Sequence, residues 1–588
     1  MTNKEIANIL LQIAKIMELS GKEKDRFRIV AYEKASQAVE SYGEDLADVY
    51  KRGGKEKIME IEGIGESIAE KIEELIKTGK LKYFEELKKE VPKSEVEFLQ
   101  IPGIGPKTAV VIAEKLKAKD IDDLEKKLKS GAADKPFKEK TKANILRGIE
   151  ILRRMEGRLL LTEAMPIAEE VVAYLKKVPG VERVDPVGSL RRWKETVGDV
   201  DLVASANPPA GGPKKVIEAF VKFPKTSNII TQGETKATII HKDGVQLDLE
   251  ILPKEKYGSL LQHFTGSKEH NVALRTYAVG KKYSVSEHGI KNPQGKLITC
   301  ATEEEVYKTL GMDYIEPELR EDRGEIQAAL QHQLPKLVEL KDIKGDLHFH
   351  SNWSDGSDKI EDIAKAALRA GGRSGPEAQK LGYEYVAIAD HSPGLGVAQG
   401  LKISDFDERE KEIEEARKSC PKIKILNSVE VNIKADGSLD LPDEFLAKLD
   451  VVTASIHSSF FQSQEQITKR LLLACANPHV DIIGHPSGRL LGRREAYDVD
   501  WEKLFQAAAK TKTALEINAF PDRLDLKDSL CQAAQKQGVK FVICTDSHRL
   551  EHLDLMRFGV AVARRGWLEK EDIWNTKGYE ELLEWLER

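Results

Sequence analysis

The stretch VGSLRR at residues 187–192, followed by GDVD at residues 198–201, carries the strongest functional signal in the chain. Along a strand, alternate side chains leave on the same face, so Asp199 and Asp201 can share one cation. A Gly-Ser turn can bring backbone N–H groups close to a phosphate, and Arg192 offers charge-assisted hydrogen bonds to it. The two stretches therefore predict a compact site for a phosphate and a metal ion.

A third carboxylate lies in VQLDL at residues 245–249, on the next plausible strand. Asp248 would complete a two-metal site with Asp199 and Asp201. Taken alone, an Asp-x-Asp pair is most often part of a solvated turn, because so short a motif has little specificity. The Gly-Ser turn, the arginine and the third aspartate together favour a catalytic site over that alternative.

Further motifs follow in order, with FTGS at residues 264–267 and then Asn271 and Arg275. With them, the chain from about residue 5 to about residue 318 resembles the family X DNA polymerases of the nucleotidyltransferase superfamily. The resemblance implies an α+β palm at residues 156–260 and a thumb, which holds the nascent base pair, at residues 261–318. It also implies deoxynucleoside triphosphates and gapped or primer-template DNA as partners.

The same resemblance assigns roles to individual residues. Asp199, Asp201 and Asp248 would be the catalytic residues and would bind two Mg²⁺ ions. Asn271 would contact the base of the incoming nucleotide, and Arg275 the minor groove of the template. The implied nucleotide-binding set is Gly188, Ser189, Arg192, Gly198, Phe264, Gly266, Asn271 and Arg275.

Two positions depart from the family pattern. His263 replaces an aromatic residue that often pairs with Phe264 in discriminating deoxyribose from ribose, so sugar selectivity is left open. Glu250 replaces an arginine common just after the third aspartate. Our hypothesis is that its negative charge near Asp248 strengthens the dependence on metal.

Length and composition limit the class of protein. A chain of 588 residues is too long for one core, so roughly three to five domains are expected. No apolar run approaches the ~20 residues that span a bilayer, and the N-terminus lacks the pattern of a secretory signal. Five cysteines without C-x-x-C spacing fit reduced thiols in a cytoplasmic protein. We expect a monomer without a membrane segment, and a net charge of −6 leaves DNA contacts to local basic surfaces.

Apolar residues at helical spacing predict an all-α region over residues 1–155, divided at 1–86 and 87–155. Two similar turns, IEGIG at residues 61–65 and IPGIG at residues 101–105, each precede a helical run. A Gly-x-Gly turn that opens a helix directs amide N–H groups towards one anion. The repeat resembles the helix-hairpin-helix element, which contacts DNA phosphates without reading sequence. The DNA-binding residues so implied are Gly63, Gly65, Gly103, Gly105 and Lys107.

Lys71 follows the first of these turns. By resemblance it would be the lysine that forms a Schiff base with a deoxyribose-phosphate, with Arg28 and Tyr32 nearby. That chemistry requires a lowered lysine pKa. Ser67 stands where a basic phosphate ligand often occurs, and a surface lysine is the alternative interpretation of Lys71.

The last part of the chain, residues 343–588, contains a second set of metal-binding side chains, joined to the thumb by a predicted linker at residues 319–342. Its apolar runs alternate with helical stretches, and six of the seven end in or carry a histidine or a carboxylate. Seven strand-helix alternations predict a closed parallel barrel, which collects functional groups at the C-terminal ends of its strands. The runs are 344–350, 385–391, 425–431, 450–457, 481–485, 514–518 and 541–548, of which 514–518 lacks an obvious terminal ligand.

A single histidine at a strand end is more often a buried structural residue than a ligand. Six such ends together resemble the PHP (polymerase and histidinol phosphatase) domain of bacterial family X polymerases, a distorted (β/α)7 barrel. The implied ligands are His348, His350, Asp355, His391, Glu430, His457, His485, Asp546 and His548. Nine ligands suit a cluster of about three ions, and histidine with carboxylate permits Mn²⁺, Zn²⁺ or Fe²⁺.

The resemblance implies a Mn²⁺-dependent 3′–5′ exonuclease that also acts on abasic sites and 3′ blocking groups. Arg489, Arg493 and Arg494 follow His485 and could hold a backbone phosphate, although solvated loop charge is an equal alternative. GGRSGP at residues 371–376 resembles an insertion without an assigned role, and NPPAGGP at residues 207–213 predicts a loop.

The sequence therefore predicts a multidomain repair polymerase that fills short gaps, joined to a nuclease that trims 3′ ends. Two alternatives stay open. The barrel could hydrolyse small phosphate esters such as histidinol phosphate. The whole chain could instead be a non-catalytic DNA-binding scaffold built on the two helix-hairpin-helix elements.

Overall fold

The computed structural model describes residues 1, 3–19, 26–40, 46–61, 63–88, 91–130, 135–155, 157–206, 212–369, 382–394 and 400–587. The chain forms two compact units, one of residues 1–156 with 490–495, the other of residues 157–489 with 496–588. The predicted insertion at 371–376 and most of the predicted loop at 207–213 lie outside the described residues.

The first unit is helical, as predicted. Its first helix buries Ile6, Leu10, Ile13 and Met17 on one face, in one core with the following helices. Its helices are α1 (Asn3–Leu19), α2 (Arg26–Glu40), α3 (Leu46–Met59), α4 (Glu66–Thr78), α5 (Lys82–Leu87), α6 (Lys93–Phe98), α7 (Pro106–Val111), α8 (Ile121–Lys129) and α9 (Glu139–Met155).

The two glycine turns have the same backbone geometry. Gly63 and Gly103 have φ values of 88° and 85°, in the left-handed region that favours glycine. In the first turn the N–H of Ile64 donates to the carbonyl of Ile61 at 3.1 Å, and Ile104 repeats this bond at 3.0 Å. The repeat seen in the sequence is therefore a repeat in structure.

The palm contains a mixed sheet that places the acidic residues. Among the residues described there, the strand order is β2-β4-β7-β6-β5, with β4 and β7 parallel. The strand predicted around Asp248 is β7 (Gln246–Leu252), and Asp201 lies in β4 (Val200–Ala206), with Asp199 one residue before its start. The palm elements are β1 (Leu159–Leu160), α10 (Leu161–Leu175), β2 (Val181–Pro186), α11 (Gly188–Arg191), β3 (Thr196–Val197), β4 (Val200–Ala206), α12 (Gly212–Val221), β5 (Thr226–Gln232), β6 (Lys236–His241) and β7 (Gln246–Leu252).

The thumb has its own core, which extends into the predicted linker. Leu319, Ala329 and Leu337 are buried in the same cluster as Leu274 and Val306, so segment 319–342 packs against the thumb. Burial of these apolar residues stabilises the packing, so the segment is part of the thumb structure and not only a connection. The elements are α13 (Tyr257–Thr265), α14 (Lys268–Gly280), β8 (Ser284–Ser286), β9 (Gly289–Lys291), β10 (Leu297–Ile298), α15 (Glu303–Thr309) and α16 (Glu325–Leu330).

The last domain is the predicted parallel barrel. Within the described ranges, seven strands pair in sequence order, and a parallel bridge between Phe349 and Ser547 links the last strand region to the first. Its strands are β11 (Gly345–Phe349), β12 (Tyr385–Ile388), β13 (Lys424–Asn432), β14 (Val451–Ser455), β15 (Ile482–Ile483), β16 (Ala514–Asn518) and β17 (Phe541–Cys544). Its helices are α17 (Ile360–Arg369), α18 (Ile403–Ser419), α19 (Asp443–Leu446), α20 (Gln464–Ala476), α21 (Trp501–Thr511), α22 (Asp528–Gln535), α23 (Met556–Arg565) and α24 (Tyr579–Leu586).

Two further expectations concern the whole chain. All five cysteines are free and buried, in agreement with the predicted reduced thiols. No helix in the described part of the chain combines the length and the apolar character that a membrane crossing requires.

Candidate nucleotide site and metal centre

The three predicted aspartates of the palm converge. One carboxylate oxygen from each of Asp199, Asp201 and Asp248 lies within 4.8 Å of the others. The convergence follows from the sheet, because the parallel register of β4 and β7 sets Asp201 directly beside Asp248. Gln246 donates to Asp248 from its amide nitrogen at 2.7 Å. Three acidic oxygens at this spacing suit divalent cations.

The electrostatics of the three carboxylates agree with a cation site. Burial, and then the charges of Asp199 and Asp248, raise the pKa of Asp201 to about 7. Like charges this close repel one another unless a cation or a proton lies between them. The residues present therefore fit the Mg²⁺ ions that the resemblance implies.

Gly188 brings the predicted phosphate turn against this acidic site. It has a φ of 64°, and a Cβ at this position would lie 2.7 Å from Oδ2 of Asp201. Only glycine satisfies both the left-handed backbone and the close approach. The turn and the metal-binding carboxylates are therefore one structural unit, as the sequence predicted.

Arg192 lies at the end of this turn and is largely buried. Its Nε donates to Oε1 of Glu321 at 3.0 Å, and its Nη1 donates to the carbonyl of Thr265. The same guanidinium leaves little room for a side chain at Gly266, since a Cβ there would lie 3.1 Å from Nη1 of Arg192. The protein thus fixes two nitrogens of the guanidinium of Arg192, the residue predicted to bind the triphosphate.

The thumb residues of the predicted nucleotide site form one hydrogen-bonded group. Asn271 donates to the carbonyl of His263 at 2.8 Å and accepts from Gln262 at 2.8 Å. Arg275 Nη2 lies 2.9 Å from Nδ1 of His263, and the His263 ring stacks edge-on with Phe264 at 5.1 Å. His263, the departure from the family pattern, therefore lies among the predicted sugar- and base-contacting residues.

Glu250, the second departure, is paired. Nζ of Lys236 lies 3.2 Å from Oε2 of Glu250. The same ammonium group lies 5.6 Å from the centroid of the Phe264 ring. Lys236 partly offsets the negative charge on which our hypothesis of stronger metal dependence rests, and that hypothesis stays a prediction.

The nine predicted barrel ligands also converge, around three carboxylates. Nε2 atoms of His391 and His548 each lie 3.4 Å from Asp355 Oδ2. His350 Nε2 lies 3.2 Å from Asp546 Oδ1. Glu430 is the common partner of five histidines, namely His391 at 2.9 Å, His485 at 3.0 Å, His457 at 3.3 Å, His348 at 3.5 Å and His350 at 3.8 Å.

The donor atoms of this barrel cluster fit metal ions. Among the residues described, Nε2 of His348 and Nδ1 of His350 are buried without a hydrogen-bond partner. Burial, with the charges of His548 and His391, lowers the pKa of His350 to about 4, so its ring is neutral at pH 7. Burial would raise the pKa of Glu430, but the surrounding histidines hold it well below its usual value. A neutral imidazole at His350 and an ionised carboxylate at Glu430 are the forms that ligate metals. Although burial opposes it, the neighbouring carboxylates raise the pKa of His348, His391 and His548, so these three would release protons when they bind ions.

Seven of the nine predicted ligands fall into overlapping groups. Three groups in the described part of the barrel could each hold an ion, and they share His350, His391 and Glu430 between them. Shared ligands bring the ions of a multinuclear site close together. The grouping supports the predicted cluster of about three ions, whose identity the donor types leave open.

Known proteins resemble the chain throughout. Family models match a helix-hairpin-helix domain at residues 1–81, a DNA polymerase beta thumb at residues 260–321 and a PHP domain at residues 346–520. A DNA polymerase/3′–5′ exonuclease PolX of Bacillus subtilis strain 168 is 37% identical over 100% of both chains. The chain belongs to the family X DNA polymerases with a PHP domain. The predicted resemblance is confirmed.

Other relatives match parts of this family X polymerase. DNA polymerase lambda of Rattus norvegicus is 26% identical over 54% of this chain and 56% of its own. A probable phosphatase of Thermoanaerobacter sp. strain X514 is 32% identical over 34% of this chain and 81% of its own. The chain thus has partial relatives of two kinds, a polymerase and a probable phosphatase.

Sequence reasoning missed a carboxylate inside the barrel of this polymerase. Glu516 lies in β16, the strand without an obvious terminal ligand, and its side chain is fully buried. Its Oε1 lies 2.8 Å from Nδ1 of His348, and its Oε2 accepts from the backbone N–H of His485. Such a partner orients a ligating imidazole. An acidic residue within an apolar strand was the available signal, because a buried charge requires a partner.

Two neighbours of Asp546 were also missed. Asn518 donates to Oδ2 of Asp546 at 3.0 Å, and Nε of Arg523 lies 3.4 Å from the same oxygen. Asn518 ends β16 but carries an amide in place of a histidine or a carboxylate, and Arg523 follows the strand, so strand-end reasoning selected neither. Arg523 adds a positive charge beside a cluster expected to bind phosphodiesters.

The three arginines that follow His485 and were predicted to hold a backbone phosphate have different outcomes. Arg489 is buried, donates to the carbonyl of Arg523 at 2.9 Å and pairs with Glu195 at 2.9 Å. These contacts disfavour the proposed phosphate contact for Arg489. Arg493 and Arg494 belong to segment 490–495, which groups with residues 1–156, and their role stays a prediction.

The predicted DNA-contacting residues of the helical unit are accessible. Gly65 and Gly105 directly precede α4 and α7, and a Cβ added at either would contact nothing within 4 Å. Gly63, Gly103 and Lys107 are exposed. Open amide groups at a helix start suit a backbone phosphate.

Lys71 lies within the predicted group of basic and aromatic residues. Its Nζ donates to the carbonyl of Ser67 at 2.9 Å and lies 5.2 Å from the ring centroid of Tyr83. Arg28 donates to the hydroxyl of Tyr83 at 2.9 Å, and the Tyr32 and Tyr83 rings stack at 6.4 Å. Burial, and then the charge of Arg28, lower the pKa of Lys71.

Proposed function

We propose that this family X polymerase fills short gaps during DNA repair and that its barrel removes nucleotides from 3′ ends. The observation that carries the proposal is the convergence of Asp199, Asp201 and Asp248 against the Gly188 turn. A second set of ligands in the barrel, seven of whose nine predicted members form groups that could each hold an ion, supports a separate hydrolytic site.

In the palm, the protein would hold both reactants in line. The Gly188–Arg192 turn would hold the triphosphate, while Asn271 and Arg275 would contact the nascent base pair. When bound to the three aspartates, two Mg²⁺ ions would supply the charge that activates the primer 3′-hydroxyl and stabilises pyrophosphate. Positioning and charge stabilisation together account for most of the catalysis in phosphoryl transfer.

In the barrel, the nine ligands would hold about three ions, which we propose to be Mn²⁺, with Zn²⁺ and Fe²⁺ as alternatives. Bound ions would supply a water of lowered pKa and clamp the phosphodiester. Glu516 would keep His348 oriented, and Arg523 would offer a guanidinium to the phosphate. Abasic sites and blocked 3′ ends are the further substrates proposed.

One gapped-DNA assay tests the polymerase and the exonuclease together. With nucleotides and Mg²⁺, we expect the primer to lengthen until the gap is filled. Without nucleotides and with Mn²⁺, we expect the same primer to shorten from its 3′ end. A chain that binds the gapped DNA but neither lengthens nor shortens it would support the scaffold alternative instead.

Small phosphate esters are the second candidate substrate of the barrel, because a probable phosphatase is similar to a third of the chain. A competition assay separates the two candidates. Single-stranded DNA should suppress hydrolysis of a small phosphomonoester if the barrel is a nuclease. Preferential hydrolysis of the small ester in the presence of excess DNA would favour the phosphatase.

A deoxyribose-phosphate lyase activity at Lys71 is a further proposal. The neutral amine would attack the aldehyde carbon of the ring-opened sugar and water would leave, forming the Schiff base. Lys71→Ala should reduce borohydride trapping on a 5′-deoxyribose-phosphate end at least ~10-fold. Lys77→Ala, on the same helix, is the matched control, because Glu73 raises the pKa of Lys77 and keeps it charged. Equal trapping by both variants would assign the adduct to another amine.

Three properties stay predictions. Template DNA and deoxynucleoside triphosphates are the partners that the family implies. We expect the protein to act as a monomer and to reside in the cytoplasm. Sedimentation of the full chain at micromolar concentration measures whether the protein is a monomer.

A further inference from the structure

A buried arginine of the barrel contacts the predicted triphosphate turn of the palm. Arg565 is the last residue of α23, a helix that packs against β17. Its Nη1 donates to the backbone carbonyl of Arg192 at 2.6 Å and to Oε1 of Glu321 at 3.1 Å. Its Nη2 donates to Oδ2 of Asp528 at 2.7 Å, at the start of α22. One guanidinium thus joins two barrel helices to the palm and the segment after the thumb.

Glu321 connects Arg565 to the side chain of Arg192. The same oxygen, Oε1, accepts from Nε of Arg192 at 3.0 Å, while Oε2 accepts from Lys194 at 3.2 Å. Although burial opposes it, the charges of Arg565, Arg192 and Lys194 hold the pKa of Glu321 well below its usual value. The carboxylate is therefore ionised and shared by three cations.

Arg565 thus acts on Arg192 at two points. It fixes the backbone of Arg192 directly, and through Glu321 it sets where the guanidinium of Arg192 points. Arg565 and Glu321 are both largely buried, where hydrogen bonds between charged groups are strong and few other geometries satisfy them. A ring contact adds to the support, since Trp193 stacks edge-on against Phe558 of α23 at 5.9 Å.

We propose that Arg565 is a positioning residue for the polymerase reaction. From the barrel, it holds the backbone and the guanidinium of Arg192 in the position that receives the triphosphate. The polymerase site is thereby incomplete without the barrel, because Arg565 acts on the triphosphate through Arg192. This inference rests on the proposed role of the Gly188–Arg192 turn.

The matched control stands next to Arg565 in sequence. Arg564, also on α23, donates to Oε1 of Glu318 at 2.7 Å and to the carbonyl of Val338 at 3.2 Å. It thus joins the barrel to the same region, through Glu318 and Val338 in place of Arg192 and Glu321. Arg564→Gln removes a comparable ion pair but leaves the contacts to Arg192 and Glu321 in place. Comparing it with Arg565→Gln therefore isolates the effect that acts through Arg192.

The experiment measures single-nucleotide incorporation on gapped DNA and exonuclease rate for the full-length wild type, Arg565→Gln, Arg565→Lys and Arg564→Gln. For Arg565→Gln we expect the nucleotide KM to rise ~10-fold, the effect of losing one charge-assisted hydrogen bond, with a smaller change in kcat. The exonuclease rate should stay within about twofold of wild type, which also reports a folded barrel. Arg565→Lys should recover part of the KM, and Arg564→Gln should match wild type.

Several results would overturn the proposal. A nucleotide KM for Arg565→Gln that falls, or stays within about twofold of wild type, would show that Arg565 does not position Arg192. Equal losses in Arg565→Gln and Arg564→Gln, or equal loss of both activities, would indicate a purely structural contact. If Arg565→Gln does not fold, the KM of Arg565→Lys decides by the same criterion. A wild type that incorporates no nucleotide would instead contradict the proposed function.

Discussion

Asp199→Ala removes nucleotide incorporation on gapped DNA and leaves the exonuclease active. Asp199 is one of three carboxylates that lie within 4.8 Å of one another, so the variant removes a ligand from the polymerase metal site. We expect a loss on the order of 1,000-fold in kcat, as for groups that stabilise charge at the reacting atoms. Single-turnover extension of a gapped primer in Mg²⁺ measures it.

The choice of Asp199 separates chemistry from folding. It is the exposed member of the three, so its truncation leaves no buried cavity, whereas Asp201 lies against Gly188. Asp243→Ala, at an exposed position before β7 in the same sheet, removes the same charge outside the acidic site and should retain wild-type extension. Loss of both polymerisation and exonuclease activity in a folded Asp199→Ala protein would contradict the proposal that the two activities have separate sites.

His350→Ala should have the opposite effect, with the exonuclease lost and polymerisation retained. His350 lies between His391 and His548, with ring centroids at 4.4 Å and 4.3 Å, and it contacts Asp546 at 3.2 Å. It belongs to two of the groups of possible metal ligands. We expect degradation of a single-stranded 3′ end in Mn²⁺ to fall on the order of 100-fold or more.

Two comparisons make this second result interpretable. His350 is fully buried, so His350→Gln is included to limit the cavity that alanine leaves. His479→Ala substitutes a half-buried histidine of the same barrel outside the ligand set and should leave the exonuclease unchanged. Bound Mn²⁺ per chain, measured by mass spectrometry, should fall in the His350 variants only. Full exonuclease activity with depleted metal would place the hydrolytic chemistry elsewhere.

Most of the predictions came from local patterns in the sequence. The Gly-Ser turn, the Asp-x-Asp pair and the strand-end histidines each combine residues a few positions apart, where backbone periodicity alone decides which side chains share a face. The spacing of apolar runs predicted the seven barrel strands, and the repeated glycine turns predicted matching backbone geometry. These features needed no knowledge of distant contacts.

The sequence by itself thus determined the kinds of domain, and it predicted the three aspartates and the nine barrel residues that the fold brings together. The tertiary structure alone decided that Glu516 orients His348, 168 residues away, and that Arg565 holds Arg192, 373 residues away. Such pairs arise from the packing of whole elements, and a buried charge takes its partner from whichever surface covers it. Periodicity along the chain contains no information about that surface.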